Sequence, residues 1–188
     1  TIGYEANENI HRRVARALGI EDGNYELVYQ ALGVDYRAVG APYVGPQLFP
    51  EKPGRRCDPL EGCYMRWVEH KTGGYWDFCD FPLEGADDET IANYPVPDPD
   101  DFDYDAVGEQ IAFHKNVAIH LGGAGTVDII NSNGRIMGME DVLCHLITEN
   151  EAALSFIDRR LQMQLTVMER TLEKYKGKID FIWLGEDL

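Results

Sequence analysis

Glu186 and Asp187 are adjacent carboxylates one residue beyond the apolar run 179–184. At the end of a buried strand, such a pair can divide general-acid and general-base roles or ligate a metal. A chain that leaves its core and turns polar would give the same letters. His120 closes toward the end of a second apolar run, 117–121, and Gly122-Gly123-Ala124-Gly125-Thr126 follows it. Glycines there let the backbone approach a ligand, Thr126 adds a hydroxyl, and the turn could cradle an anion at the following helix. The spacing is not Gly-x-Gly-x-x-Gly and the P-loop lysine is missing, so a tight strand-to-helix turn is the competing reading. His120 suits acid–base work or a hydrogen-bonded place within its strand. Asp35, within or just after the run 34–39, could orient a cationic or N–H-bearing substrate, or pair with Arg37. Tyr4, Glu5 and Asn7 follow Thr1-Ile2-Gly3, which reads as the remnant of a clipped first strand.

These positions belong together if the strands are parallel, because parallel α/β folds collect their chemistry at strand C-terminal ends. Apolar residues at helical spacing predict a helix over 7–18, with Gly19 as its stop. Asn24 caps a second helix to Leu32, and Gly33 ends it. Residues 40–61 carry five prolines and read as loop. Residues 64–68 and 75–78 predict a hairpin around Lys71-Thr72-Gly73-Gly74. The segment 95–105 is a Pro- and Asp-rich connector that lacks the Gly and Glu of a calcium loop. Helices are expected over 104–113, 138–148 and from Asn150 to about Lys174, the last with an apolar stripe of Leu154, Ile157, Leu161, Leu165, Met168, Leu172 and Tyr175. The run 179–184 predicts a strand covered on both faces.

The 188 residues carry 33 acidic and 17 basic side chains, for a net charge of −16. That balance argues against a nucleic-acid or anionic-membrane surface, which would need Lys and Arg clusters. No run of about 18 apolar residues marks a membrane span, and no basic-then-apolar leader is visible. Thr1 stands where a Met would start a complete chain, so a preceding segment is expected. Cys57, Cys63, Cys79 and Cys144 form no Cys-x-x-Cys pair and match no compact zinc finger. Reduced thiols of a cytoplasmic protein are the expectation, with a disulfide or metal at Cys57 and Cys63 as the alternative. Tyr75, Trp76, Phe78 and Phe81 read as hairpin packing before they read as cover for an aromatic ligand. Ser132 lacks a nucleophile elbow, which argues against a hydrolase triad.

Five stretches, residues 32–39, 67–83, 94–103, 138–143 and 184–188, together resemble the uroporphyrinogen decarboxylase superfamily. The resemblance spans nearly the whole chain. It is closest to the divergent branch that includes corrinoid-linked methyltransferases. It implies a (β/α)8 TIM barrel with a deep pocket at its C-terminal face. The chain would supply an incomplete N-terminal part, roughly four β-α units with an inserted β-hairpin, as a single domain. By the same resemblance, Asp35 lies where the decarboxylases hold substrate pyrrole N–H groups. The segment 122–134 lies where they carry an active-site tyrosine, and Ile130 is the nearest match. Their arginine-rich substrate segment corresponds to residues 3–9, where Glu5 stands and no arginine occurs before Arg12. The methyltransferase zinc ligands belong to the second half of the barrel, beyond Leu188, and none of the four cysteines matches them.

The expectation is therefore a methyltransferase that acts with a corrinoid protein and a zinc-activated acceptor. Asp35, Glu186 and Asp187 would be its catalytic groups. Tyr4, Glu5, Asn7, His120, Gly123 and Thr126 would bind a small-molecule, tetrapyrrole or corrinoid ligand. No metal is expected within this chain, and no nucleic acid or membrane partner. The alternatives are a porphyrinogen decarboxylase and a non-catalytic barrel fragment. Open sheet edges in such a fragment would favour a homo-oligomer.

Overall fold

The computed structural model describes residues 2–71, 73–123 and 125–185. Two helices open the chain, α1 (Glu8–Ala17) and α2 (Tyr25–Leu32). Asn7 and Asn24 cap them by accepting from the N–H three residues on, Ile10 and Leu27, which satisfies donors that a helix start leaves free. Gly33 ends α2 at φ 70°, a left-handed conformation that glycine adopts without a Cβ clash. The ring of His11 stacks on Tyr25 at 3.6 Å and ties the two helices together.

Three parallel strands form the main sheet: β1 (Tyr36–Val39), then β5 (Ala118–Gly122) and β6 (Phe181–Trp183), in the order β1-β5-β6. Between β1 and β5 in sequence lies a separate antiparallel sheet of β2 (Arg56–Cys57), β3 (Tyr64–His70) and β4 (Gly73–Cys79). The expected hairpin is present. It extends to His70 paired with Gly73, because Gly73 and Gly74 continue the ladder instead of forming the turn.

Helices α3 (Asp88–Ala92), α4 (Asp105–Phe113), α5 (Asn131–Met137), α6 (Met139–Thr148) and α7 (Glu151–Lys174) supply the remaining layers. Pro99–Asp101 makes a short 3-10 turn in the acidic connector. One apolar core gathers Leu83, Ile91, Ile136, Met137, Val142 and Phe156 beneath α5, α6 and α7. A second packs Val39 and Ile119 of the parallel sheet against Val107 of α4.

The architecture is mixed α/β, and four expectations need correction. The described part of the proposed first strand, Ile2 and Gly3, is not in a strand; Ile2 instead meets the end of β1 through Asp35. The parallel sheet has three described strands where roughly four β-α units were expected. β6 is not covered on both faces: Phe181 and Ile182 are exposed, because β6 is the sheet's edge and no helix lies over it among the described residues. Finally, α7 buries Ala153, Phe156, Ile157, Arg160, Met163 and Thr171, whereas Leu154 and Leu165 face outward. The buried stripe is rotated from the apolar one because loop and α5 groups give Arg160 polar partners inside.

Candidate functional site

Side chains alternate along each strand, so a parallel sheet has two distinct faces. Val39, Ile119 and Leu121 are buried on the helical side. On the opposite, inner face the register places Ala38 beside His120 and His120 beside Phe181. His120 is the centre of this face. Its ring stacks on Phe181 at 5.1 Å, meets Tyr36 edge-on at 5.3 Å, and lies 5.8 Å from Trp183.

Over this floor lies a cavity of about 320 Å³ whose walls include Tyr4, Glu5, Tyr29, Gly123 and Trp183. Its size is at the low end for small-molecule sites. Tyr4 reaches it from the segment before α1 and meets Tyr29 edge-on at 6.1 Å. The Tyr4 hydroxyl and His120 Nδ1 are both buried and have no hydrogen-bond partner among the described residues. Burial lowers the His120 pKa, while the Gly122 backbone close by pulls the other way. The ring is therefore neutral at pH 7, able to accept or donate a hydrogen bond but not to act as a fixed cation.

Arg37 is the one cation among the described lining residues, and it is fully engaged. Its Nε and Nη2 donate to the two Glu26 carboxylate oxygens at 2.8 and 3.0 Å, and Nη1 donates to the Val34 and Tyr36 carbonyls. The guanidinium also lies 4.7 Å from the Tyr29 ring centre. The Arg37 hydrogen bond holds the Glu26 carboxyl below its ordinary range, and burial pushes the Tyr29 phenol up. The cavity thus offers aromatic walls, neutral polar groups and the exposed Glu5.

Gly122 separates this cavity from a second one. Its φ is 86°, and a Cβ there would collide with the Trp183 carbonyl. The outer crevice, about 390 Å³, lies between α7 and the ends of β1 and β5, with Thr126 in its wall.

The residues singled out in the sequence fall in different places. Tyr4, Glu5, His120 and Gly123 share the inner cavity, and Thr126 belongs to the outer crevice. Asn7 is occupied as the cap of α1. Asp35 was expected within or just after its strand but immediately precedes β1, at the N-terminal end of the sheet. It is exposed, and its Oδ1 accepts from Ile2 N at 3.0 Å, a bond that lowers its pKa. Arg37 pairs with Glu26, not with Asp35. Glu186 and Asp187 lie outside the described residues. Tyr29, Tyr36 and Trp183 were missed as wall residues. Two-residue alternation joins Tyr36 to the face of Ala38, but only strand register brings that face to His120.

All four cysteines are free. The Cys63 thiol is pushed up to about 12 by burial and by Glu61 beside it, so it stays protonated and inert at neutral pH. No group of three His, Cys, Asp or Glu side chains is placed to hold a metal among the described residues. No described helix is long and apolar enough to cross a membrane. No protein-family model, curated protein or solved structure matches this chain.

Proposed function

We propose that this chain is the N-terminal part of a (β/α)8 enzyme of the uroporphyrinogen decarboxylase superfamily, and that the enzyme transfers a methyl group with a corrinoid-bearing partner. The observation that carries this reading is the inner cavity at the parallel strands. It is walled by Tyr4, Tyr36, His120 and Trp183, and the one cation among its described lining residues is spent on Glu26. A substrate bearing several acetate groups would bring carboxylates to a wall that has no free cation among the described residues and has Glu5 in it. That arrangement is electrostatically unfavourable. A conjugated ring system of low net charge suits aromatic walls, and such faces stack well on them.

In this reading the chain's own residues bind and orient. The aromatic floor would keep water from the reacting centre, and His120 Nδ1 and the Tyr4 hydroxyl would hydrogen-bond the ligand's polar rim. The zinc that the resemblance implies does not fit the described residues, so its ligands would come from outside this sequence and no step is drawn through it.

The test uses the full-length protein with methylcobalamin as probe. Expected outcomes are quenching of tryptophan fluorescence, reduced in Trp183→Phe, and loss of the probe's methyl group when a thiol acceptor is added. Release of carbon dioxide from uroporphyrinogen, with no methyl transfer, would replace this reading with decarboxylation.

A further inference from the structure

The rings around the inner cavity stand at steep angles to one another. Tyr4 meets Tyr29 at 69°, Tyr36 meets His120 at 73°, and Trp183 is tilted 49° from His120. Rings so disposed turn their faces in different directions, and each face is the negative side of the ring quadrupole. One cation already uses this wall, since the Arg37 guanidinium lies over Tyr29. Arg37 is 4% exposed, however, and the two Glu26 oxygens cancel its charge. Glu5 is the one carboxylate among the described lining residues, and it has no ion-pair partner among the described residues. Gly3 lets the segment that carries Tyr4 and Glu5 pass against the Tyr36 hydroxyl, where a Cβ would collide. The floor gives an independent sign of a ligand. His120 is 4% exposed, and its Nδ1 has no partner among the described residues. A buried nitrogen left unpaired beside a cavity is costly unless a ligand completes it. Ring faces, an unbalanced carboxylate and an open acceptor together fit a compact cation with an apolar exterior and one N–H to give.

We propose that the inner cavity binds a methylated ammonium ion, with its methyl groups against Tyr4, Tyr36 and Trp183, its N–H on His120 Nδ1 and its charge offset by Glu5. Aromatic faces hold such ions by cation–π attraction, which strengthens as the ion leaves water. The volume of about 320 Å³ is at the low end for ligand sites and takes a small headgroup instead of a macrocycle. The net charge of −16 favours the arrival of cations. The inference rests on the methyl-transfer reading for the use made of the ligand, as the small molecule that carries the methyl group while the corrinoid faces the mouth. Binding itself needs no cobalt.

Isothermal titration of the full-length protein with trimethylammonium at pH 7, beside tert-butanol and pivalate, tests this. The three share a shape, and tert-butanol can also donate to His120, so it differs from the ammonium in charge. Trimethylammonium is expected to bind about tenfold or more tightly than tert-butanol, and pivalate to give no saturable heat. Trp183→Leu is expected to weaken the ammonium about tenfold, and Trp183→Phe, which keeps a ring, to retain most of the affinity. Equal binding of tert-butanol, full affinity in Trp183→Leu, or no saturable heat with trimethylammonium would overturn the proposal. If circular dichroism shows Trp183→Leu to be unfolded, the exposed Glu5 decides the matter: weaker binding in Glu5→Gln supports the site, and unchanged affinity overturns it. The methylcobalamin assay reads separately. Ammonium binding without methyl transfer would keep the site and end the methyl-transfer reading, and methyl transfer without ammonium binding would do the reverse.

Discussion

Arg160 of α7 lies 3.3 Å from Glu61 of the long proline-rich loop, and the pair is largely buried. Burial raises the Glu61 pKa, with Arg160 opposing the shift, and burial lowers that of Arg160. Asn133 and Ser132 take the other edge of the guanidinium. The contact pins the loop to the helical layer and sets which face of α7 turns inward. Breaking one partner strands a charge. Arg160→Met is expected to lower the unfolding free energy by about 3–5 kcal/mol, whereas the double change with Glu61→Gln costs less than the sum. Urea titrations of the two singles and the double check this; additive losses would mean the pair is uncoupled.

Acid should weaken the fold in two stages. His120 and His114 are both held below the ordinary value of 6.5, chiefly by burial. Unfolded, they bind protons near 6.5, so the unfolded state takes up more protons below that pH and stability falls as pH drops toward the folded values. Glu26 is held below its ordinary 4.5 by Arg37, so its contribution is present above that value and is lost at lower pH. Thermal melts of His120→Gln should show a flatter slope just below pH 6.5, and Glu26→Gln should flatten the lower limb while deepening the upper one, because it removes the charge that pulls the His114 pKa up. An unaltered upper limb in His120→Gln would contradict this.

Gly122 should not tolerate a side chain. With φ 86° and the Trp183 carbonyl where an added Cβ would stand, alanine there is strained and pushes β6 away from β5. Gly122→Ala is expected to lose about 1–3 kcal/mol from the strained backbone. Hydrogen exchange should report the loss at Gly122 and its β6 neighbours first. Protection equal to the parent would remove the argument.

The 188-residue polypeptide made alone should self-associate. β1 and β6 each have one unpaired edge among the described residues, and Ile182 is 45% and Ile147 83% exposed. Open edges beside apolar surface invite pairing between copies. Light scattering is expected to give a mass above that of one chain, falling in Ile182→Lys. A monodisperse monomer would refute this.

The helix starts and stops were legible from single residues. Asn7, Asn24 and Asn150 cap through atoms three positions away, and Gly33 turns the chain by its own backbone freedom. These are local interactions, so short stretches of sequence fix them whatever the rest of the chain does. The same is true of the β3–β4 hairpin, whose partners are joined by a tight turn. Tertiary structure decided the remainder. Arg160 is inside only because residues of a remote loop and of α5 meet it there; by composition alone it belongs outside. Tyr4 and His120 share a cavity because the segment before α1 folds across the inner face of the sheet. Asp35 sits at the wrong end of its strand for the chemistry expected of it because β1 begins one residue later, where pairing with Ala118 starts. Register and face are set by contacts between residues far apart in the chain, and no local spacing encodes them.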